Sequence, residues 1–163
     1  MTTVITLREQ GEQDACFLRG LFAAGLDESL GLSAWPPRER ETLLRLQYDA
    51  RERDWLAHRP PERLLVIEAD GDPAGRIWLC PPDTDGSRWV TDLAVAPRHR
   101  GRGVATAALT ALRGPLRLSV SRGNLPALRL YHRLGFVPCG GTGTDLLLHR
   151  PAAVRSAGSP APA

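Results

Sequence analysis

The stretch Asp92-Leu93-Ala94-Val95-Ala96-Pro97-Arg98-His99-Arg100-Gly101-Arg102-Gly103-Val104-Ala105 changes character within a few residues. It begins in a strand pattern running from Arg88 to Val95. Pro97 cannot donate to a strand ladder and stops it. An Ala/Leu-rich helix pattern follows, from about Arg102 to Arg113. Between the two, Gly101 and Gly103 permit positive φ and a close approach of backbone to a ligand. The free N–H groups of the first helical turn then face that ligand, with the helix dipole behind them. Arg98, Arg100 and Arg102 surround the loop with positive charge. A diphosphate fits such a cradle; an ordinary strand-to-helix loop with surface arginines is the plainer alternative. A P-loop would need Gly-Lys-Ser/Thr, and the chain has no lysine. A dinucleotide fingerprint would place Gly or Ala where Thr106 stands, with an acidic residue about 20 positions on, and none occurs there.

Working outward, Thr3 to Leu7 is a candidate strand and Gln10 to Ala24 a candidate helix. Gly25 to Ala34 reads as a loop. Pro36-Pro37 opens a second helix ending near Ala57, with Leu43, Leu46 and Ala50 along one side and Leu44, Tyr48 and Trp55 beside them. Leu64 to Ala69 and Gly75 to Cys80 make a hairpin around Asp70-Gly71-Asp72-Pro73. After the glycine loop and its helix come a strand at Leu116 to Ser121 and a helix at Asn124 to Leu134. Short strands at Phe136 to Cys139 and Leu146 to His149 close the chain. In the last helix Asn124 is a good N-cap, Gly135 a good C′ residue, and Ala127, Leu130, Tyr131 and Leu134 form an apolar stripe. Residues 1–150 are expected to form a single domain, and 151–163, rich in Ala, Pro, Ser and Gly, a disordered tail. The fold class is α/β: an antiparallel meander joined to one right-handed β-α-β crossover.

Charge is distributed unevenly. All 21 cationic residues are arginine, and Leu93 to Thr144 holds eight of them and no Asp or Glu. Arginine pairs bidentately with phosphate, so this half of the chain is suited to a phosphorylated ligand. Nucleic acid is not expected as a partner, because aromatic interleaving and binding motifs are missing. No apolar run approaches the roughly 18 residues of a membrane span, and the N-terminus lacks the blocks of a signal peptide. Cys16, Cys80 and Cys139 have no metal or disulfide spacing, so no metal is expected and a cytoplasmic location fits best.

The segment resembles the central motif of the GCN5-related N-acetyltransferases, Arg/Gln-x-x-Gly-x-Gly-x-Gly/Ala, filled by Arg98, Gly101, Gly103 and Ala105. Asn124, Ala127, Leu130-Tyr131 and Gly135-Phe136 are similar to that family's second motif at its spacing. The element order is also the family's. The resemblance covers about Arg88 to Val137; residues 1–87 match in element order alone.

The resemblance implies a mixed, mostly antiparallel sheet with a splayed central parallel strand pair and helices on both faces. It implies acetyl-CoA as cosubstrate, lying in the gap of that pair. Backbone groups of Leu93 and Val95 would hold the pantetheine arm and the acetyl carbonyl. Amides of Arg100, Gly101, Arg102, Gly103, Val104, Ala105 and Thr106 would hold the pyrophosphate, with Arg98 nearby. Asn124 would touch the thioester end, and Tyr131 would protonate the departing thiolate. Thr91 stands where relatives often carry a carboxylate. Asp92 is then the titratable candidate for the base within the strand, unless it merely braces a helix terminus or an arginine; Glu68 or a water chain are the alternatives. His99 and His132 are expected at the surface. The acceptor would be a small-molecule amine or a protein amino group. A homodimer is compatible with the resemblance, since many relatives dimerise. A non-catalytic acyl-CoA-binding or regulatory module is the competing function; it would keep the cradle and dispense with Tyr131.

Overall fold

The computed structural model describes residues 3–152. The expected tail therefore lies, beyond residue 152, outside the described residues. Seven strands form one sheet: β1 (Ile5–Glu9), β2 (Arg63–Ala69), β3 (Asp72–Pro82), β4 (Arg88–Val95), β5 (Leu116–Ser121), β6 (Val137–Gly141) and β7 (Asp145–Arg150). Their order across the sheet is β1-β2-β3-β4-β5-β7-β6. Every neighbouring pair is antiparallel except β4 and β5. Four helices complete the fold: α1 (Ala15–Leu30), α2 (Pro37–His58), α3 (Val104–Ala111) and α4 (Leu125–Arg133).

The helices divide between the two faces of the sheet. Ile77 and Leu79 of β3 enter a core with Val104, Ala108 and Leu109 of α3 and Tyr131 of α4. Alternation along the strand sends Arg76, Trp78 and Cys80 to the other face. There Trp55 of α2 packs edge-on to Trp78, and Glu52 pairs with Arg76. Phe22 of α1 meets Tyr48 of α2 above the same face.

Two sequence boundaries are corrected. The first helix starts later than Gln10, because residues 12–14 make a separate 3₁₀ turn. Asp14 accepts from the Gly11 amide and from both terminal nitrogens of Arg8, which fixes that turn. The helix then continues through Gly25, where a loop was expected, to Leu30. Buried Leu18 and Leu21 hold it against its neighbours, and Gly31 ends it in the left-handed conformation at φ 64°. Gly25 is thus a helical glycine, tolerated because tertiary packing outweighs its propensity cost of about 1 kcal/mol.

The parallel pair decides the site. β4 and β5 pair only at Arg88 with Leu116 and Trp89 with Arg117. On its other edge β4 stays bonded to β3, with Trp78 opposite Asp92 but Leu79 opposite Val90. Thr91 is therefore an extra residue, a bulge that bends β4 away from β5. Past Trp89 the edge of β4 facing β5 has no strand partner. Gly75 permits this geometry: a Cβ there would stand 2.4 Å from the Ala94 carbonyl oxygen.

Candidate active site

The opening between the strands leads into a cavity of about 730 Å³ lined from four directions. β4 supplies Leu93, Ala94 and Val95; the following loop and α3 supply Arg100, Gly101, Gly103, Val104, Ala105 and Thr106. Asn124 and Tyr131 come from the start and body of α4, while Leu21, Gly25 and Glu28 of α1 close the opposite wall. A smaller polar slot of about 210 Å³ continues between the splayed strands, lined by Asp92, Thr91, Ser119 and Ser121 among others. Leu93, Asn124 and Tyr131 border both spaces.

The glycine loop has the geometry that its sequence requires. Gly101 and Gly103 have φ of 71° and 76°, and no protein atom lies within 4 Å of where a Cβ would sit on either. The space above them is open to a ligand. Gly103 is the N-cap of α3 and offers no side chain, so the amides of Val104, Ala105 and Thr106 have no intrahelical acceptor. These donors and the cavity they line fit a diphosphate.

The arginines separate. Arg100 lines the cavity; its Nε donates to the Val95 carbonyl at 2.9 Å, and its Nη1 donates to both oxygens of Glu28 at 2.7 and 2.8 Å. Arg98 and Arg102 do not line it. Arg98 turns back to donate to Nε2 of His99 at 2.9 Å and to the Pro73 carbonyl. His99 is buried rather than at the surface as expected: it lines the cavity and accepts from its neighbour. Nothing in the local sequence marks it for burial; it closes the 3₁₀ turn Pro97–His99.

Asn124 caps α4 with its side-chain oxygen on the Ala127 amide at 3.2 Å, leaving its NH₂ group toward the cavity wall. Tyr131 is 8% exposed. Its ring packs edge-on to Phe136, and its hydroxyl makes no hydrogen bond among the described residues. Burial, and then the Asp92 charge, push the phenol up to about 12, so it remains protonated at neutral pH.

Asp92 enters the slot from the other side. Its carboxylate also has no hydrogen bond among the described residues. Burial pushes its pKa above the usual carboxylate range, against the pull of Arg51 and Arg76, while Glu52 pushes the same way as burial. The structure thus brings together Leu93, Val95, Arg100, Gly101, Gly103, Val104, Ala105, Thr106, Asn124, Tyr131 and Asp92 around two connected spaces. Glu68 is elsewhere: it accepts from Arg8 at the far edge of the sheet. Sequence reasoning missed Leu21, which lies within the expected first helix; Gly25 and Glu28 fall in the stretch that reads as a loop and is helix here.

A bulged strand leaving its parallel neighbour beside a glycine turn and a helix N-terminus makes a cleft in a split sheet whose free first-turn amides suit an anion. The family described as "Acetyltransferase (GNAT) family" matches residues 30–136, and the chain belongs to that family. A streptothricin acetyltransferase of Streptomyces lavendulae is 34% identical over 84 residues. That match takes in 47% of this chain and 44% of the relative, so less than half of the relative's length is matched. Among solved structures, the PaiA N-acetyltransferase of Thermoplasma acidophilum, in complex with coenzyme A, superposes with a TM-score of 0.67 at 16% identity, over 91% of this chain and 99% of that one. An acetyltransferase of Thermus thermophilus gives 0.64 at 21%, over 93% and 97%. At these identities the likeness is one of fold.

Proposed function

We propose that this chain transfers the acetyl group of acetyl-CoA to a primary amine by direct attack within a ternary complex. The observation carrying this reading is the shared wall. Leu93, Asn124 and Tyr131 border both the larger cavity and the polar slot that contains Asp92. Acetyl-CoA would occupy the larger space with its diphosphate on the first turn of α3, and the acceptor would reach the thioester through the slot. Family membership and the fold likeness to a coenzyme A complex support the same cosubstrate.

The reaction then follows from the groups present. An alkylammonium, with a pKa near ~10, must lose a proton before it attacks. Asp92 takes that proton. The amine nitrogen bonds to the acetyl carbon, and a backbone amide on the unpaired edge of β4, at Leu93 or Val95, stabilises charge growing on oxygen. The carbon–sulfur bond breaks, the Tyr131 hydroxyl donates to the sulfur as charge accumulates there, and the attacking nitrogen sheds its second proton to solvent as the neutral amide forms. With a phenol near 12, complete transfer to a thiolate of ordinary pKa about 8.5 is uphill, so the donation serves chiefly while the bond is breaking. Positioning two reactants across one gap supplies much of the remaining acceleration.

The acceptor is a small molecule or a protein amino group. The match to a streptothricin acetyltransferase makes streptothricin a natural member of the test panel. Thiol release from acetyl-CoA is measured with streptothricin, simple alkylamines, amino acids and peptides. Release with at least one acceptor is expected. Tight coenzyme A binding with no release from any acceptor would instead favour a non-catalytic acyl-CoA-binding module.

A further inference from the structure

On the α2 face of the sheet, behind Asp92, lies a charged cluster that the transfer reaction does not itself use. Arg76 of β3 is 1% exposed. Its two terminal nitrogens donate to the two carboxylate oxygens of Glu52 on α2 at 2.8 and 2.9 Å. Its ring-facing side is covered by Trp78, 5.0 Å from the guanidinium carbon to the ring centre. The third nitrogen, Nε, is buried with no hydrogen-bond partner among the described residues. It lies 3.9 Å from Oδ2 of Asp92. That distance is beyond a direct hydrogen bond. A buried guanidinium clamped on one side, with an unsatisfied N–H beside a carboxyl on the other, is an arrangement for contacting that carboxyl when it is ionised.

We propose that Arg76 is a positioning residue for Asp92, and that Glu52 fixes its guanidinium in place and offsets part of its charge. The inference rests on Asp92 as the base of the proposed reaction, but it concerns the charge state of that carboxyl and can be read without turnover. Asp92 is faced by Arg76 from β3, by Arg51 and Glu52 from α2, and by Tyr131 from α4; the lining part of β5, Leu118 to Ser121, brings no titratable group. Arg51 adds to the same positive field. It is stacked on Phe22 and Trp55 at 4.3 and 4.5 Å, and is itself within 3.3 Å of Glu52. Arg51 exerts the larger pull on Asp92; Arg76 differs in being buried and held by two hydrogen bonds, with its Nε, unpartnered among the described residues, beside the carboxyl.

The cluster makes the two variants move Asp92 in opposite directions. Losing the Arg76 charge leaves burial and Glu52 opposed by Arg51 alone, so the carboxyl protonates at higher pH. Neutralising Glu52 leaves Arg76 in place with its charge uncompensated, so the carboxyl protonates at lower pH. A residue that merely props the sheet would move Asp92 erratically or not at all.

The full chain is labelled with ¹³C at the aspartate side-chain carboxyl and titrated by NMR; the Asp92 signal is the one missing from Asp92→Asn. Arg76→Met is expected to raise its midpoint by about one pH unit, a tenfold change in the protonation equilibrium. Arg76→Lys restores most of the parent midpoint. Glu52→Gln lowers it. A midpoint that stays unchanged in Arg76→Met or Glu52→Gln, or that moves the same way in both, overturns the proposal; where Arg76→Met fails to fold, Glu52→Gln carries the decision, and a midpoint that does not fall there overturns it. The pH–rate profile of thiol release separates the underlying reading: an acid limb that persists in Asp92→Asn removes Asp92 as the base, whatever the carboxyl shifts show.

Discussion

Tyr131 shows how one side chain serves two ends. Its ring belongs to the core and packs against Phe136, which is why it falls on the apolar stripe of α4. A core tyrosine normally satisfies its hydroxyl, because an unmade buried hydrogen bond costs about 1–3 kcal/mol. Here the hydroxyl is left facing the border of both cavities. An unpaired donor held at about 12 is useful to a leaving group that gains negative charge, and of little use to packing. Tyr131→Phe keeps the ring and removes the donor. Turnover should fall by about 10²-fold, the lower part of the range for a positioned acid, with the Kd for coenzyme A unchanged. Steady-state kinetics beside calorimetric binding checks both parts; undiminished turnover would remove Tyr131 from the chemistry.

At the scale of elements, the site is made by a strand that leaves its neighbour. The Thr91 bulge bends β4, and Gly75 lets the carbonyl of Ala94 come close on the other side. Gly75→Ala should force β3 and β4 apart and cost about 1–3 kcal/mol, the usual penalty for overpacking. Gly103→Ala meets no protein atom, so its stability cost is the left-handed conformation alone, about 1–2 kcal/mol. It should nonetheless weaken coenzyme A binding, because the methyl enters the open space above the α3 amides. Chemical denaturation paired with binding calorimetry distinguishes the two; a Gly103→Ala protein that binds as tightly as the parent would place the diphosphate elsewhere. The contrast also explains what was legible in the sequence. Gly101, Gly103, Asn124 and Tyr131 were readable because each obeys a local rule of turn, cap or stripe at fixed spacing. β4 and β5 were read with their observed bounds for the same reason. The bulge was not readable, since an extra residue is defined only by the partner strand. The outer half of α1 was missed because Gly25 is a breaker by local propensity, and the burial of Leu21 that overrides it is tertiary. Arg76 was invisible as anything but a strand residue until Glu52, 24 positions away, was seen to clamp it.

Across the whole molecule, buried Asp14 and half-buried Asp92 respond to pH with opposite sign. Asp14 accepts from Arg8 through both oxygens and from the Gly11 amide, and these bonds hold its carboxyl below the ordinary range despite burial. Its folded pKa is therefore depressed. The stability it contributes is present above the unfolded pKa of about 3.9 and is lost as pH falls through the lower folded value. Asp92 is the reverse. Burial raises its folded pKa, so the folded state binds its proton more tightly than the unfolded chain does. Its favourable contribution is present below about pH 3.9 and is lost as pH rises through the folded value, leaving a desolvated carboxylate at neutral pH. Asp14→Asn should therefore destabilise the fold by about 1–3 kcal/mol at neutral pH, with the deficit shrinking in acid. Asp92→Asn should be at least as stable as the parent at neutral pH, with its advantage shrinking in acid, while losing activity. Urea midpoints for the three proteins from about pH 2 to pH 8 test the pair, since Asp14 loses its contribution only below the unfolded carboxylate pKa of about 3.9 and Asp92 loses its own above it. A destabilised Asp92→Asn at neutral pH would mean that the carboxylate is retained for the fold. The expected sign would mean that it is retained at the expense of the fold, which is the pattern of a group kept for its chemistry.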